Sequence, residues 1–319
     1  MSGALEPAKL RLDRSGLRWN RTELESRGTW RVDIPAEVVA EVGRCLVNDS
    51  EMSADVERIR RELPELTALA TSARANLQRG DGVVWLRAHG RFDSVAEPVQ
   101  RGFFEAFGRA MGQPITTYGT LYEVKDRGRE YRQEAIPISQ TRAATGFHTD
   151  SSNLGTLPDL VGLFCLEPSS HGGDSLVTSG LRAHDRLAAG QQGLWRRLFH
   201  PFVRDLVTPG APDDRASLLA NRIPVFAEVD RPGGVDVRYM RYWIERGQEK
   251  VGEPLSEGDL AAMNALDREL ADPDHVVRFA LARGDSLWVN NRAILHNRTD
   301  YRDEPGHMRR LLRMWVGCG

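Results

Sequence analysis

The second half of the chain consists of short segments rich in β-branched and aromatic residues, and this pattern constrains the fold most. Clusters of Gly, Pro, Asp and Asn separate the segments, as is typical of strands joined by tight turns. We therefore expect short, mainly antiparallel strands at YGTLYEV, LVGLFCLE, SLVTS, FVRDLV, RIPVFAEV, VDVRYMRYW, VVRFAL, DSLWVN and RRLLRMWV.

Helical patterns dominate the earlier part of the chain, from about residue 34 to residue 112. One predicted helix begins after Pro35, which can occupy the first turn of a helix. A second predicted helix is preceded by Ser94, which has the spacing of a capping box with Glu97. The pattern also predicts helices at 53–78 (with a break at Pro64), 181–189 and 256–270, and a buried strand at 82–88.

Helices followed by many short strands predict a mainly β, α+β protein whose core is an antiparallel barrel or jelly roll braced by N-terminal helices. The chain has 319 residues and shows neither an internal repeat nor a low-complexity linker. We therefore expect a single domain over 1–319, with a helix-rich part at 1–117 that braces a strand-rich part at 118–319.

Composition argues against several classes of partner. The net charge is -2, and no basic run is interleaved with aromatic residues, so we expect a small-molecule partner and no nucleic acid. No stretch approaches the ~20 apolar residues that a membrane span needs, and the N-terminus lacks the apolar region of a secretory signal. These features predict a cytoplasmic protein and leave a homo-oligomer open. The three cysteines form no C-x-x-C pair, which disfavours disulfides and structural zinc.

The stretch GFHTDSSN places His148 and Asp150 two residues apart, so on a strand both side chains point to the same face. His296, in WVNNRAILHNRTD, is the best candidate for a third metal ligand. Two histidines and one carboxylate on one face of a metal leave three positions open, as in non-heme Fe(II) sites. Zinc accepts the same ligands. An H-x-D pair by itself is also typical of a turn aspartate beside an unrelated histidine.

Two further stretches carry residues suited to binding anions. SSHGGDSLVTSG is a glycine-rich turn that enters a strand, and MRRLLRMWV contains Arg309, Arg310 and Arg313. Residues 309 and 313 face the same side of a strand, and a guanidinium can hold a carboxylate bidentately. The alternative is a solvated basic edge strand, but the apolar residues between the arginines favour a buried one.

Together, GFHTD, GGDSLVTSG, NNRAILHNRTDY and RRLLRMW resemble, in this order, the taurine and 2,4-dichlorophenoxyacetate dioxygenase-like family (TauD/TfdA), which includes γ-butyrobetaine hydroxylase-type enzymes. The resemblance covers roughly 118–315. It implies a double-stranded β-helix (jelly roll) that holds Fe(II) at its open end and uses 2-oxoglutarate and O2. The family's iron ligands fall on His148, Asp150 and His296. Because related halogenases lack the carboxylate, Asp150 disfavours halogenation.

The resemblance also implies two residues that hold 2-oxoglutarate. Ser175 falls where the family has a threonine that contacts the co-substrate, and Arg309 falls on the arginine that binds its far carboxylate. Arg310 stays open as the alternative, because a one-residue change in a loop would exchange the two arginines.

The implied activity is hydroxylation, or another oxidation, of a C–H bond in a small anionic or amino-acid-like molecule, with release of succinate and CO2. Arg313 falls on an arginine that contacts the substrate's anionic group in taurine-type members; the alternative is a structural ion pair. Weaker candidates for the substrate pocket are Tyr122, Tyr131, Gln133, Asn153, Tyr239 and Arg241. A zinc hydrolase that uses the same triad and a non-catalytic jelly-roll binding module are the competing hypotheses.

Overall fold

The computed structural model describes residues 15–47, 49–128, 146–151, 157–206, 214–230 and 234–318. The helices in these ranges are α1 Arg21–Arg27, α2 Ala36–Leu46, α3 Val56–Glu62, α4 Pro64–Arg79, α5 Glu97–Met111, α6 Gly180–Gly190, α7 Gln192–Arg197, α8 Arg215–Ala220, α9 Arg241–Lys250 and α10 Glu257–Leu270, with 3-10 turns at Ser15–Leu17 and Ser50–Ala54.

The strands are mostly short, as expected from the sequence. Those in the described ranges are β1 Arg31–Asp33, β2 Val83–Arg87, β3 Gln113–Pro114, β4 Tyr122–Val124, β5 Leu160–Glu167, β6 His171–Gly172, β7 Ser175–Ser179, β8 Phe202–Val203, β9 Arg222–Ile223, β10 Phe226–Glu228, β11 Val235–Val237, β12 Val277–Phe279, β13 Ser286–Asn290, β14 Ile294–Arg298, β15 Tyr301–Arg302 and β16 Arg310–Gly317.

Two facing sheets form the centre of the molecule. The larger sheet has the order β1-β2-β13-β5-β16-β3, with β4 also paired to β16; apart from the parallel β1–β2 pair it is antiparallel. The smaller sheet is antiparallel with the order β12-β7-β14. One hydrophobic core contains Val161 and Trp315 from the larger sheet together with Val177 and Leu295 from the smaller sheet. The space between the sheets is therefore filled by apolar side chains.

Strand β16 shows how the larger sheet separates two cores. Leu311 and Trp315 belong to the core between the sheets, whereas Leu312 and Met314 belong to a second core. This second core also holds buried side chains of α2, α4 and α5, among them Phe104. Alternation along the strand thus assigns odd-numbered residues to the interior between the sheets and even-numbered residues to the helical layer.

A close approach between Gly162 and Trp288 on neighbouring strands gives a stability prediction. A Cβ at Gly162 would lie 2.6 Å from the fully buried Trp288 ring, which is too close for any side chain. Gly162→Ala is expected to lower the free energy of unfolding by about 3 kcal/mol, the upper range for overpacking, measured by urea denaturation. As a control, Gly43→Ala in α2 meets nothing within 4 Å and should raise stability by ~1 kcal/mol. An equal change in the free energy of unfolding of the two variants would contradict the overpacking explanation.

Several predicted elements are present where expected. Helix α3 ends before Pro64, which opens α4, and Ser256 forms a capping box with Asp259 at the start of α10. The predicted strands at residues 160–167, 175–179, 285–290 and 309–316 correspond to β5, β7, β13 and β16. In the part of the chain that the structure describes, no helix has the length and apolarity needed to cross a membrane.

Two local predictions were wrong. The predicted capping box of Ser94 and Glu97 does not form, because α5 begins at Glu97 with Ala96 at the cap and no side-chain hydrogen bond there. The Glu97 carboxylate instead binds Arg101 and Arg310. The segment predicted as one strand over 235–243 ends as β11 at Val237, and α9 follows.

The helical pattern of α9 lies in its charges. Arg241 pairs with Glu245 four residues later, and Arg246 pairs with Glu249 three residues later, spacings that stabilise helices. The aromatic residues at 242–243, which suggested a strand, instead include Trp243 on the buried side of this helix.

Candidate metal centre

The two histidines of the predicted triad face each other across a β-bridge. His148 and His296 exchange two backbone hydrogen bonds, each 3.0 Å long, and the bridge lies outside the named strand pairs. Their ring centroids are 4.4 Å apart. The bridge fixes the separation of two residues that are far apart in sequence. Asp150 follows His148 directly after Thr149, whose backbone N–H donates to the carbonyl of Tyr239.

The three side chains form a compact group with one ligand atom from each residue, all within 4.8 Å of one another. Asp150 Oδ1 lies 3.6 Å from Nε2 of His148 and 3.6 Å from Nε2 of His296, too far for hydrogen bonds. Asp150 and His296 are both buried. A single cation could therefore be reached by both imidazoles and the carboxylate.

The protonation of the group also fits a metal. Nδ1 of His148 lies 3.0 Å from the Gly146 carbonyl oxygen, and the tautomer that donates to this acceptor leaves Nε2 as the ligand atom for a metal. Burial, assisted by His148, lowers the pKa of His296 to about 3, so this imidazole is neutral at pH 7. Neutral imidazoles and an ionised carboxylate are the ligand forms that Fe(II) needs. The described residues thus fit an iron ion held by His148, Asp150 and His296.

The second oxygen of the Asp150 carboxylate has its own donors. The indole Nε1–H of Trp315 donates to Oδ2 at 2.7 Å, and Nη1 of Arg313 lies 3.2 Å from the same atom. Burial alone would raise the pKa of the Asp150 carboxyl, but the charge of Arg313 holds it well below its usual range. Asp150 is therefore ionised.

Asn291 clamps the backbone of Asp150. Its side-chain Oδ1 accepts the Asp150 N–H at 2.8 Å, and its Nδ2 donates to the Asp150 carbonyl at 3.0 Å and to the Pro158 carbonyl at 3.2 Å. The Asn291 side chain is fully buried. Asn291, the residue directly after β13, thus anchors the Asp150 end of the H-x-D segment.

Asn291→Ala leaves three buried backbone groups without a partner. At about 1–3 kcal/mol for each unsatisfied group, we expect the free energy of unfolding to fall by ~3 kcal/mol or more. Fe(II) affinity should fall as well, because Asp150 loses its backbone support. The control is Asn290→Ala, which removes a buried hydrogen bond to the Leu77 carbonyl and a partly buried one from the Arg292 N–H instead. An equal loss of Fe(II) affinity in both variants would contradict a specific role for Asn291.

Arg309 is a buried cation on the interior side of the larger sheet. Only 4% of its surface is exposed, and its Nη1 has no hydrogen-bond partner among the described residues. Its guanidinium lies 5.1 Å from the Tyr301 ring centroid, and burial lowers its pKa. A cavity of about 60 Å³ borders Arg309 and is also lined by Cys165 and Gly173. Burying a positive charge without an anionic partner costs free energy, so this arginine is suited to binding an anionic ligand.

Gly173, the second glycine of the GGD turn, is required next to Arg309. Its φ is +75°, and a Cβ there would lie 2.5 Å from Ser169 Oγ and 3.1 Å from Arg309 Nε. The glycine-rich turn thus leaves space around the guanidinium.

Arg310 lies on the opposite face of β16 and is already paired. Its guanidinium donates to Glu97 at 2.8 and 2.9 Å and to Glu123 at 2.7 Å. These hydrogen bonds lower the pKa of Glu97 to about 2. Of the two neighbouring arginines, Arg309 is therefore the candidate for the co-substrate.

Arg310→Ala is expected to lower stability by only about 1 kcal/mol at pH 7, because these side chains are about one-third exposed. Because the folded protein lowers the pKa of Glu97 from 4.5 to about 2, this stabilisation is present above pH 4.5. It is lost as the pH falls towards 2. Urea denaturation at several pH values should show that the free energies of unfolding of wild type and Arg310→Ala become equal in acid. A difference between them that does not change with pH would contradict the ion-pair explanation.

Ser175 is buried and lies on the small sheet in register with Arg298, two positions along β14 from His296. Directly paired residues point to the same face, as do residues two apart on one strand, so Ser175 shares the face of His296. Its position is compatible with the predicted contact to 2-oxoglutarate.

Arg313 lies between aromatic rings beside the metal group. Its guanidinium is 5.0 Å from the Tyr122 ring centroid and 4.8 Å from that of Trp315. Tyr118 packs edge-on against both rings. A structural ion pair was the alternative role for Arg313, and Arg313 does pair with Asp150, but this partner belongs to the metal group.

Two of the weaker substrate candidates have structural partners. The buried hydroxyl of Tyr239 donates to Asp267 on α10, and Arg241 pairs with Glu245 and the same Asp267. The Tyr239 hydroxyl is thus already engaged in a hydrogen bond within the protein. Tyr131, Gln133 and Asn153 lie outside the described residues.

The sequence pattern did not identify Asn291 and Trp315 as neighbours of Asp150. Asn291 carried a signal only as part of a turn-prone pair, and Trp315 only as an apolar residue of a buried strand. Both contacts join residues more than 140 positions apart, and a single sequence gives no distance between such residues.

Comparison with known proteins agrees with this geometry. The profile of the family described as taurine catabolism dioxygenase TauD, TfdA family matches residues 48–315. FR-33289 synthase of Streptomyces rubellomurinus is 23% identical over 93% of this chain and 88% of its own length. Uridine-5'-phosphate dioxygenase of a Streptomyces species is 28% identical over 56% of this chain and 63% of its own length.

Among solved structures, asparagine oxygenase in complex with Fe(II), 2S,3S-3-hydroxyasparagine and succinate has the same fold. It superposes with a TM-score of 0.68 at 19% identity and covers 91% of this chain and 94% of its own. The predicted α+β jelly-roll architecture with bracing helices is thereby confirmed. With the profile match over most of its length, the chain belongs to the TauD/TfdA family of dioxygenases.

Proposed function

We propose that the protein is an Fe(II)- and 2-oxoglutarate-dependent dioxygenase that hydroxylates a small anionic molecule and releases succinate and CO2. The observation that carries the proposal is the His148–Asp150–His296 group with a buried arginine, Arg309, on the interior face of the same barrel. When bound there, iron supplies the activation of dioxygen that C–H oxidation requires.

The roles of the surrounding residues follow from their placement. Arg309 binds the far carboxylate of 2-oxoglutarate, and Ser175 hydrogen-bonds to the same end of the co-substrate. The buried setting of Arg309 strengthens a charge-assisted hydrogen bond and excludes water. The jelly roll and the helical layer form one domain in this proposal, since α5 and β16 share a core.

The anionic class of the substrate rests on Arg313. This cation lies between two aromatic rings, and its Nη1 is 3.2 Å from an oxygen of the proposed iron ligand Asp150. A substrate anion bound by Arg313 is therefore held close to the iron. The relatives' names fit this class, because uridine-5'-phosphate and asparagine both carry an anionic group.

The test of the co-substrate is an anaerobic titration of metal-free protein with Fe(II) and then 2-oxoglutarate, followed by visible absorption. A weak charge-transfer band is expected on addition of 2-oxoglutarate. Zinc binding with hydrolytic activity would favour the hydrolase hypothesis, whereas failure to bind any metal would favour a non-catalytic binding module.

The test of the substrate class is succinate formation with a panel of phosphorylated nucleosides, amino acids and neutral analogues. We expect anionic compounds to stimulate succinate release and neutral ones not to. In Arg313→Gln, stimulation should need at least 10-fold more substrate, since loss of a charged hydrogen bond costs about 1.5–3 kcal/mol. The iron and 2-oxoglutarate band should persist. Equal stimulation of wild type and Arg313→Gln would contradict the assignment.

The remaining proposals concern the setting of the protein. We propose a cytoplasmic enzyme that acts on a free small molecule without nucleic acid. Cell fractionation tests its location, and light scattering of the purified protein decides between a monomer and a homo-oligomer.

A further inference from the structure

We propose that Trp315 is a positioning residue that restricts Asp150 to one metal-binding oxygen. The inference rests on the proposed iron site and concerns the hydrogen bond from the indole Nε1–H to Asp150 Oδ2, which is 2.7 Å long and buried. It assigns a specific task to a tryptophan that otherwise belongs to the core between the sheets.

The two carboxylate oxygens of Asp150 have different surroundings. Oδ2 accepts a hydrogen bond of 2.7 Å from the Trp315 indole and lies 3.2 Å from Nη1 of Arg313. Oδ1 instead lies 3.6 Å from Nε2 of each histidine. The N–H donors therefore hold Oδ2 on the side away from the imidazoles. Only Oδ1 is left to join the two Nε2 atoms.

This asymmetry matters because carboxylates bind metals through one or both oxygens. An octahedral metal with two histidines and one carboxylate oxygen keeps three positions open. If Asp150 turned and offered Oδ2 as well, one of these positions would be lost. The donors on Oδ2 thus preserve the positions that a bidentate co-substrate and dioxygen need.

Trp315 is better suited than Arg313 to this task. The indole is 6% exposed, and Tyr118 packs edge-on against it with ring centroids 5.3 Å apart. The Arg313 side chain is 13% exposed and, in the proposed function, also binds the substrate. An indole has only two side-chain torsions, so the direction of its N–H is held more firmly than that of the longer Arg313 side chain.

The molecule contains a matched control for this contact. Trp85 donates from Nε1 to Oδ2 of Asp285 at 3.1 Å, and the strand that carries Trp85 belongs to the same sheet. Asp285 is not part of the metal group. Trp85→Phe and Trp315→Phe each keep an aromatic ring and remove one indole donor from a buried aspartate.

The experiment measures Fe(II) affinity and 2-oxoglutarate affinity under anaerobic conditions for wild type, Trp315→Phe and Trp85→Phe, with the melting temperature as a check on folding. Loss of a partner that orients a ligand typically lowers metal affinity 10–100-fold. We expect this loss, and weaker 2-oxoglutarate binding, in Trp315→Phe. Trp85→Phe should match wild type in both affinities.

The outcomes separate this inference from the proposed function. If wild type does not bind Fe(II), the proposed function fails. If wild type and Trp315→Phe bind Fe(II) equally well, or if Trp85→Phe loses affinity to the same degree, the positioning role is overturned while the iron site stands.

A measurement on wild type covers the case in which Trp315→Phe does not fold. In protein labelled with 15N-tryptophan, Mn(II) should broaden one indole N–H signal most strongly. In the diamagnetic Zn(II) form, this same signal should shift and exchange slowly with solvent, as a hydrogen-bonded N–H does. Rapid exchange of that signal would overturn the proposal.

Discussion

Arg309→Ala is expected to lower 2-oxoglutarate affinity by about 100-fold while leaving Fe(II) binding intact. Truncating one partner of a buried, hydrogen-bonded charge pair costs about 2–5 kcal/mol, and about 2.7 kcal/mol corresponds to 100-fold. Arg309 is 4% exposed, and its Nη1 donates no hydrogen bond to any of the described residues. A bound carboxylate would therefore be the main anionic partner of Arg309. The charge-transfer titration measures the effect directly.

Arg310→Ala is the matched control for this prediction. It removes the neighbouring guanidinium, which pairs with Glu97 and Glu123 on the helical side of the sheet. Its 2-oxoglutarate affinity should equal that of wild type. If Arg310→Ala loses the charge-transfer band and Arg309→Ala keeps it, the two arginines have been assigned in the wrong order.

The second large effect is expected from Asp150→Ala, which should lower Fe(II) affinity by more than about 100-fold. Loss of a residue that only orients a ligand already costs 10–100-fold, and Asp150 is a proposed ligand itself. Removing this buried carboxylate also leaves the Trp315 and Arg313 donors without their partner. Equilibrium titration with Fe(II) and a competing chelator measures the affinity.

Asp150→Glu is the companion variant to Asp150→Ala. It keeps the negative charge but lengthens the side chain by one methylene, so that only the position of the carboxylate relative to the two histidines changes. We expect an intermediate affinity for Fe(II). Unchanged affinity in Asp150→Ala would show that the His–Asp–His group is not the iron site.

The sequence was informative about the site where spacing alone defines geometry. The H-x-D spacing predicted that His148 and Asp150 project together, and the structure brings both to His296. The arginines are a different case. Period-two alternation placed Arg309 and Arg310 on opposite faces, but only the packing of α5 against β16 shows which face is the interior.

The wrong predictions have physical causes of the same kind. The segment at 241–250 has aromatic residues typical of a strand, yet it forms α9, because its charged residues pair at helical spacing and Trp243 is buried by tertiary packing. Ser94 had the right spacing for a cap, but Glu97 is bound by arginines on its own helix and on a distant strand. Local patterns do not include such long-range partners.

The alternation of interior and helix-facing residues along β16 has a consequence for how the sequences of proteins with this architecture can change. Interior residues such as Arg313 and Trp315 alternate with helix-facing residues such as Leu312 and Met314. Point substitutions can therefore alter the chemistry of the barrel without touching the helical layer. A single-codon insertion or deletion within the strand would invert every position beyond it and place arginine in the apolar layer. Variation in this segment should accordingly be found in residue identity and not in length, and mutant libraries that conserve its length should retain the most folded members.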